Sequence, residues 1–235
     1  SIRLTYLIRN LLNKEIFNQM SGDLGTVLDI GGGSFYKNLN KSTWNKYIVL
    51  EPTKDSLPPD DQMRNVESLT YSDEIIPLPD NSVDTVFIIQ VLQFIFNPIK
   101  LISETKRVLR ANGRIFILVP QSGNLHGIPY HYHNFTRFWL EKIFKDNSFE
   151  IIYYKAMGGA WRTIASRIFL MFWPVLGHKY YSDPRFKSRG ILFWISFPFQ
   201  FLTALIIFPI ALLLSLFDIK EEANNHFMIG QKIIK

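Results

Sequence analysis

The chain has 235 residues, 47% of them hydrophobic and 20% charged, with 20 Phe and no cysteine. That is enough apolar material for one elaborated domain or two small ones, and the missing cysteines exclude disulfides, thiolate metal sites and cysteine nucleophiles. The net charge of +6 is concentrated: seven basic residues stand against Asp183 alone between Lys155 and Gly190, and the rest of the chain balances. Cysteine-free composition fits a reducing, cytoplasmic compartment.

The first 25 residues form a unit of their own. Leu4, Leu7, Ile8, Leu11 and Leu12 recur at helical spacing with Arg3 and Arg9 between them, which predicts an amphipathic helix and not a signal peptide. GDLG then turns the chain. TVLDI is a short apolar run ending in an acid, followed at once by GGG, and KYIVLE is a second run of the same kind. SVDTVFIIQ and GRIFILVP are two more, each opened by turn residues and rich in β-branched side chains. Between them, NPIKLISETKRVLR places Ile99, Ile102, Val108 and Leu109 on one helical face. Near-continuous apolar strands alternating with amphipathic helices predict a parallel sheet covered on both faces. TRFWLEKIFKDN is the next helix, with Thr136 as its N-cap. FEIIYYKAM and HFMIGQKII read as two final strands. This gives an α/β domain over 26–156 plus 223–235, interrupted by an insertion over 157–222 that is basic first and hydrophobic after.

The hydrophobic part of the insertion, Ile191–Phe217, is 27 residues without a charge. One bilayer crossing would leave the last strand on the far side from its sheet, and two crossings need about 20 residues each. Pro198 and Pro209 are expected to break the run into short helices. These would lie in a membrane interface, or dip in and return, beside the amphipathic piece IASRIFLMFWPVL. The neighbouring basic segment favours an anionic membrane surface over nucleic acid as partner. The alternative use of the run is a buried cap or a homodimer interface.

The sharpest local signal is VLDIGGGSFY. A strand ending at Asp29 runs into Gly31, Gly32 and Gly33, which let the backbone turn tightly and approach a ligand. In an open α/β sheet this edge is where nucleotides bind, with a helix expected to follow. Glu51 ends the next strand 22 residues later, the expected place for an acid on two ribose hydroxyls. A G-x-G-x-x-G fingerprint would need glycine where Tyr36 stands.

Taken together, VLDIGGGSFY, YIVLEP, IPLPDNSVDTVFIIQVLQFIFNP, ETKRVLRANGRIFILVP and LHGIPYHYHNFTRFWLEKIF follow one another in a recognisable order. The set resembles class I S-adenosylmethionine-dependent methyltransferases of the type 11 group. Within that group it is similar to members linked to cell-surface glycan and lipid-linked saccharide biosynthesis. The resemblance implies a Rossmann-like seven-stranded sheet with helices on both faces, here with an apolar helical insertion before the last strand. It implies that Asp29, Gly31 and Gly33 line the methionine part of S-adenosyl-L-methionine, with Gly32 also in the cofactor site, and that Glu51 holds the ribose. Asp73, or its neighbour Ser72, would meet the adenine, and Gln90 would face the reactive end. Asp84 would be structural. Phe35 stands where a further glycine is common, which would narrow the pocket. Gln93 and Phe94 stand where an acid–histidine pair is usual.

Three of the five histidines, His126, His131 and His133, fall in LHGIPYHYHNFT, the loop that follows the GRIFILVP strand. Histidine accepts a proton near neutral pH, so each is a candidate general base for methylation of a hydroxyl. LHG-x-P also resembles the family's own loop, which makes His126 the first candidate. Tyr130 and Tyr132 would shape a sugar or lipid pocket. No acid cluster accompanies the histidines, and no metal is expected. The sequence thus predicts a methyltransferase of an amphiphilic acceptor, such as a lipid-linked saccharide, peripheral on the inner face of a membrane. Its rivals are a methyltransferase of a soluble small molecule that dimerises through Ile191–Phe217, and a non-catalytic cofactor-binding scaffold.

Overall fold

The computed structural model describes residues 16–39, 42–58, 64–123, 125–172 and 190–233. Most of the predicted N-terminal helix lies outside these residues; what is described of it is a helical stretch at 16–19.

Seven strands form one sheet: β1 Thr26–Ile30, β2 Lys46–Glu51, β3 Val66–Thr70, β4 Val83–Ile89, β5 Leu109–Pro120, β6 Phe149–Met157 and β7 Asn225–Lys232. Their order across the sheet is β3-β2-β1-β4-β5-β7-β6. The pairs β2–β3, β1–β2, β1–β4 and β4–β5 are parallel, and β7 runs antiparallel to β5 and β6. This is the predicted Rossmann-like α/β architecture.

Alternation along the strands explains why the apolar runs are continuous. Leu28, Ile48, Val86 and Ile115 pack on one face, and Val27, Tyr47, Phe87 and Phe116 on the other, so both faces are buried. Helix α1, Pro98–Val108, and helix α2, Arg137–Asp146, cover the first face. Asn97 caps α1 by accepting the Lys100 amide at 3.1 Å, and Thr136 caps α2 by accepting the Trp139 amide at 3.3 Å. Asp84 has a structural place: its carboxylate takes the Thr26 amide and the Arg110 guanidinium at the N-terminal edge, where the parallel strands begin.

Two sequence expectations need correction. The segment after GGG is not a helix but a single 3-10 turn, Phe35–Asn38. Asn and Ser crowd this stretch, and their side chains compete with helical backbone bonding. The apolar run is not broken: α4, Ile191–Leu214, is one helix of 24 residues with Pro198 and Pro209 inside it, followed by a 3-10 turn to Phe217. A proline removes one backbone donor per site, and the remaining ladder carries the helix through when neighbouring turns hold.

Before α4 stands α3, Ala160–Phe172. Asp218, just past α4, accepts the backbone amides of Trp161 at 2.8 Å and Arg162 at 3.2 Å, so a residue from the far end of the insertion caps α3. The Ala160 amide bonds the Ile219 carbonyl. The start of α3 is therefore fixed beside the end of α4, and the two helices pack antiparallel as an arm. Its root is set by the sheet register: Met157 pairs with Asn225, and Asn225 pairs with Pro120. The arm leaves from the edge at which the parallel strands end.

Candidate active site

All seven predicted cofactor residues lie at that C-terminal edge. Gly31 and Gly33 have φ of +68° and +52°, a region open to glycine at little cost. Gly32 lies under the Asp29 carboxylate, where an added Cβ would sit 1.8 Å from Oδ2. The Gly33 amide donates to Glu51 Oε1 at 2.9 Å, so the glycine turn and the end of β2 are joined. Asp29 is fully buried. Its Oδ2 accepts the Tyr47 hydroxyl at 2.6 Å, and its Oδ1 has no hydrogen-bond partner. Burial pushes the Asp29 carboxyl up to about 7, against the pull of the Tyr47 bond and with the help of the nearby Glu51 charge. Burial also raises Glu51, opposed by the Gly33 amide.

Beside Glu51, a cleft of about 450 Å³ opens at the ends of β2 and β3, lined among others by Pro52, Tyr71, Ser72 and Ile75. Ser72 lines it; Asp73 belongs to the same tight turn and is exposed, with φ of +54°. Gln90, after β4, donates from Nε2 to Asn225 Oδ1 at 2.8 Å. Phe35 does not turn toward the cleft: its ring stacks on Phe17 and meets Phe87 edge-on.

The loop after β5 folds back over the 3-10 turn Leu92–Phe94. The Gln93 carbonyl accepts the amides of Tyr132 and His133 at 2.9 and 3.2 Å. The rings of Phe94, His126 and His131 meet edge-on in all three pairs, with centroids 4.9 to 5.8 Å apart. Gly127, with φ of +63°, permits this approach, since a Cβ there would lie 2.7 Å from the Phe94 ring. The His126 amide donates to His131 Nδ1 at 3.4 Å. A neutral His131 then carries its proton on Nε2, which is buried without a partner, as is Gln93 Oε1. Phe94, a departure from the resembled pattern, is thus the surface on which two histidines rest. His133 stands apart, with Nε2 3.3 Å from the Phe96 carbonyl.

A polar chain behind the loop escaped the sequence reading. His226 is 1% exposed; its Nε2 lies 2.6 Å from Gln121 Oε1 and its Nδ1 3.0 Å from the Tyr154 hydroxyl. The amide oxygen can only accept, so Nε2 carries the proton and Nδ1 takes the phenol hydrogen. Burial and the Arg137 charge hold this imidazole neutral, lowering it to about 4. The amides of Gln121 and Ser122 both donate to the Asn224 carbonyl. The one sequence signal was the polar NNH that opens an otherwise apolar strand.

Solved structures of low identity share this fold. A chain in the complex between the Haloferax volcanii Trm112 methyltransferase activator and a methyltransferase is 14% identical, with a TM-score of 0.63, covering 96% of this chain and 90% of that one. The cyclase SpnF is 15% identical with a TM-score of 0.58, covering 96% and 82%. Phosphoethanolamine N-methyltransferase 2 of Haemonchus contortus, solved with S-adenosyl-L-methionine, is 17% identical with a TM-score of 0.54, covering 96% and 52%. No curated protein sequence matches the chain. Residues 28–117 match the family model described as a methyltransferase domain. That match spans less than half of the chain, and the fold is one that a methyltransferase holding S-adenosylmethionine also adopts.

The residues present fit that cofactor. S-adenosylmethionine carries an ammonium and a sulfonium, and the edge of this sheet offers Asp29 with an unsatisfied buried oxygen and Glu51 beside it. Gly31–Gly33 give a close backbone approach between them. One consequence concerns Gly32. Gly32→Ala must displace the Asp29 carboxylate, and steric insertions of this kind cost about 1–3 kcal/mol. Calorimetric titration should show cofactor binding lost, with a lowered unfolding midpoint.

Proposed function

We propose that this chain is an S-adenosylmethionine-dependent methyltransferase that acts on an amphiphilic, membrane-associated acceptor, such as a lipid-linked saccharide, and that the loop after β5 receives the acceptor's polar end. The observation that carries the reading is positional: the apolar arm, the histidine loop and the cofactor edge share one end of the sheet. Arg167 of α3 joins them directly, donating to the carbonyls of Ser122 at 2.9 Å and Gly123 at 3.3 Å.

The bound cofactor supplies an electrophilic methyl group, so the chain's work is to hold a nucleophile in line and exclude water. Asp29 and Gly31–Gly33 would hold the amino-acid end, Glu51 the ribose, and Ser72 with Asp73 the base. Gln90, fixed by Asn225, would face the methyl. In this reading His126 takes the acceptor's hydroxyl proton as the new O–CH3 bond forms. His131, with its proton on Nε2, donates a hydrogen bond that orients the acceptor. His133 shapes the loop through Phe96. Tyr130 and Tyr132 are exposed at the rim, where rings of this kind stack on sugars.

The test is label transfer. The protein is incubated with methyl-labelled S-adenosylmethionine and total membranes of the source cell, then extracted with organic solvent. Label in the organic phase, absent with Gly33→Asp, supports the reading. Label confined to the aqueous phase favours a soluble acceptor and overturns it.

A further inference from the structure

We infer that the α3–α4 arm is immersed in the hydrocarbon of an anionic bilayer, with acyl chains packed around α4. This rests on the membrane-acceptor reading but goes past it, since that reading is met equally by an arm lying flat on the headgroups.

The first observation is that α4 has no polar side. Trp194, Phe201 and Leu205 are exposed along one side and Leu192, Ile207 and Ile210 along the opposite one. The buried positions of α4 are Ala204 and Ala211, two turns apart on a single stripe, and Ala165 is buried on α3. The arm thus closes on itself through small residues and leaves the rest of α4 open. A helix that lies in an interface needs a polar face for the water side, and this one has none. A partner helix covers one stripe. Only a continuous apolar solvent covers the remaining sides at once.

The second observation is that the hydroxyl and amide side chains of α4 bond within the helix. Ser196 donates to the Phe193 carbonyl at 3.0 Å, Gln200 to Ser196 Oγ at 2.7 Å, and Thr203 to the Phe199 carbonyl at 2.8 Å. In hydrocarbon an unsatisfied polar group costs several kcal/mol, so internal pairing is what the environment demands. At about 1.5 Å per residue, 24 residues extend about 36 Å, comparable with a bilayer's apolar thickness. The third observation is charge. The segment from Lys155 to Gly190 that leads into α4 holds the chain's whole positive excess, and Arg162 and Arg167, on the described part of it, are exposed, which complements an anionic leaflet.

The absence of native cysteine makes the test clean. Ile206→Cys, at mid-helix and exposed, is labelled with an environment-sensitive fluorophore in the full-length protein. Vesicles of phosphatidylglycerol and phosphatidylcholine are then added, with acyl chains brominated either near the headgroup or near the methyl end. Immersion predicts a blue shift and stronger quenching from the methyl-end bromines. Stronger quenching from the headgroup-side bromines shows a flat interfacial helix and overturns the inference. So does an unshifted spectrum accompanied by a stable dimer in detergent-free sedimentation. A second variant, Leu205→Glu, should abolish co-flotation with these vesicles while retaining S-adenosylmethionine binding. The two proposals fail separately: a protein that floats but puts no label in lipid keeps the arm and loses the acceptor, and the reverse result keeps the acceptor and loses the arm.

Discussion

Replacing His126 with Ala is expected to lower kcat by about 10²- to 10⁴-fold, the usual worth of a positioned general base. Cofactor affinity should be unchanged, because His126 lies on the loop after β5 and the residues proposed to hold the cofactor lie on β1, β2 and the turns beyond β3 and β4. The loop should also survive. The bond that ties position 126 to His131 uses the backbone amide, which alanine keeps, and Gln93 holds Tyr132 and His133 independently. His131→Ala should behave differently. It removes a donor to the acceptor and should raise KM more than it lowers kcat. Steady-state rates with the labelled acceptor, read beside calorimetric cofactor binding, check both. Equal losses in both variants, with cofactor binding also lost, would show a merely structural loop.

The second large effect is a pH dependence of cofactor binding set by Asp29. Its carboxyl is pushed up to about 7, so the cofactor-free protein holds a proton there at mildly acidic pH. An ammonium placed beside it favours the carboxylate, and binding below pH 7 must then expel that proton. Affinity should fall about tenfold per pH unit as pH drops below 7, and be flat above it. Calorimetry in buffers of different ionisation enthalpy should detect one proton released per cofactor at pH 6 and none at pH 8. Asp29→Asn should remove the pH dependence together with much of the affinity.

The same shift has a sign for stability. The unfolded chain loses this proton near 3.8 and the folded one near 7, so folding without cofactor takes up a proton between those values. Asp29 therefore contributes stability at low pH that is lost as pH rises from about 4 to 7. His226 acts oppositely: its folded value of about 4 lies below the unfolded 6.5, and its contribution is lost as pH falls from 6.5 to 4. The two slopes offset one another in the cofactor-free wild type. Asp29→Asn removes the larger opposing shift and leaves His226 against the smaller rise at Glu51, so the unfolding midpoint should fall on acidification.

The strands that end at the candidate site were legible because each pairs a buried apolar run with an acid at its end, as TVLDI does with Asp29 and KYIVLE with Glu51. The glycine turn was legible because positive φ restricts it to few residue types. β3 was not. VESLT has only Val66 and Leu69 as apolar residues, and as an edge strand it needs no more; its Glu67 pairs with Lys46 of the neighbouring strand. The chain from Gln121 through His226 to Tyr154 was hidden for another reason. Its members are 105 and 72 residues apart in sequence, and only the antiparallel register of β7 between β5 and β6 brings them together. The proline rule misled for α4. Two missing donors were weighed against a surface helix, whereas a helix of this composition keeps the rest of its ladder.

The central claim is that the cofactor site and the bilayer-facing arm meet at one edge of one sheet. Hydrogen–deuterium exchange on the full-length protein tests it most directly, with S-adenosylmethionine and anionic vesicles added separately and together. The account predicts that cofactor slows exchange at 31–33 and 71–75, that vesicles slow it along 191–217, and that the loop at 121–135 is protected most when both are present. Protection by vesicles confined to the opposite edge of the sheet, or no protection of 191–217 at all, would contradict it.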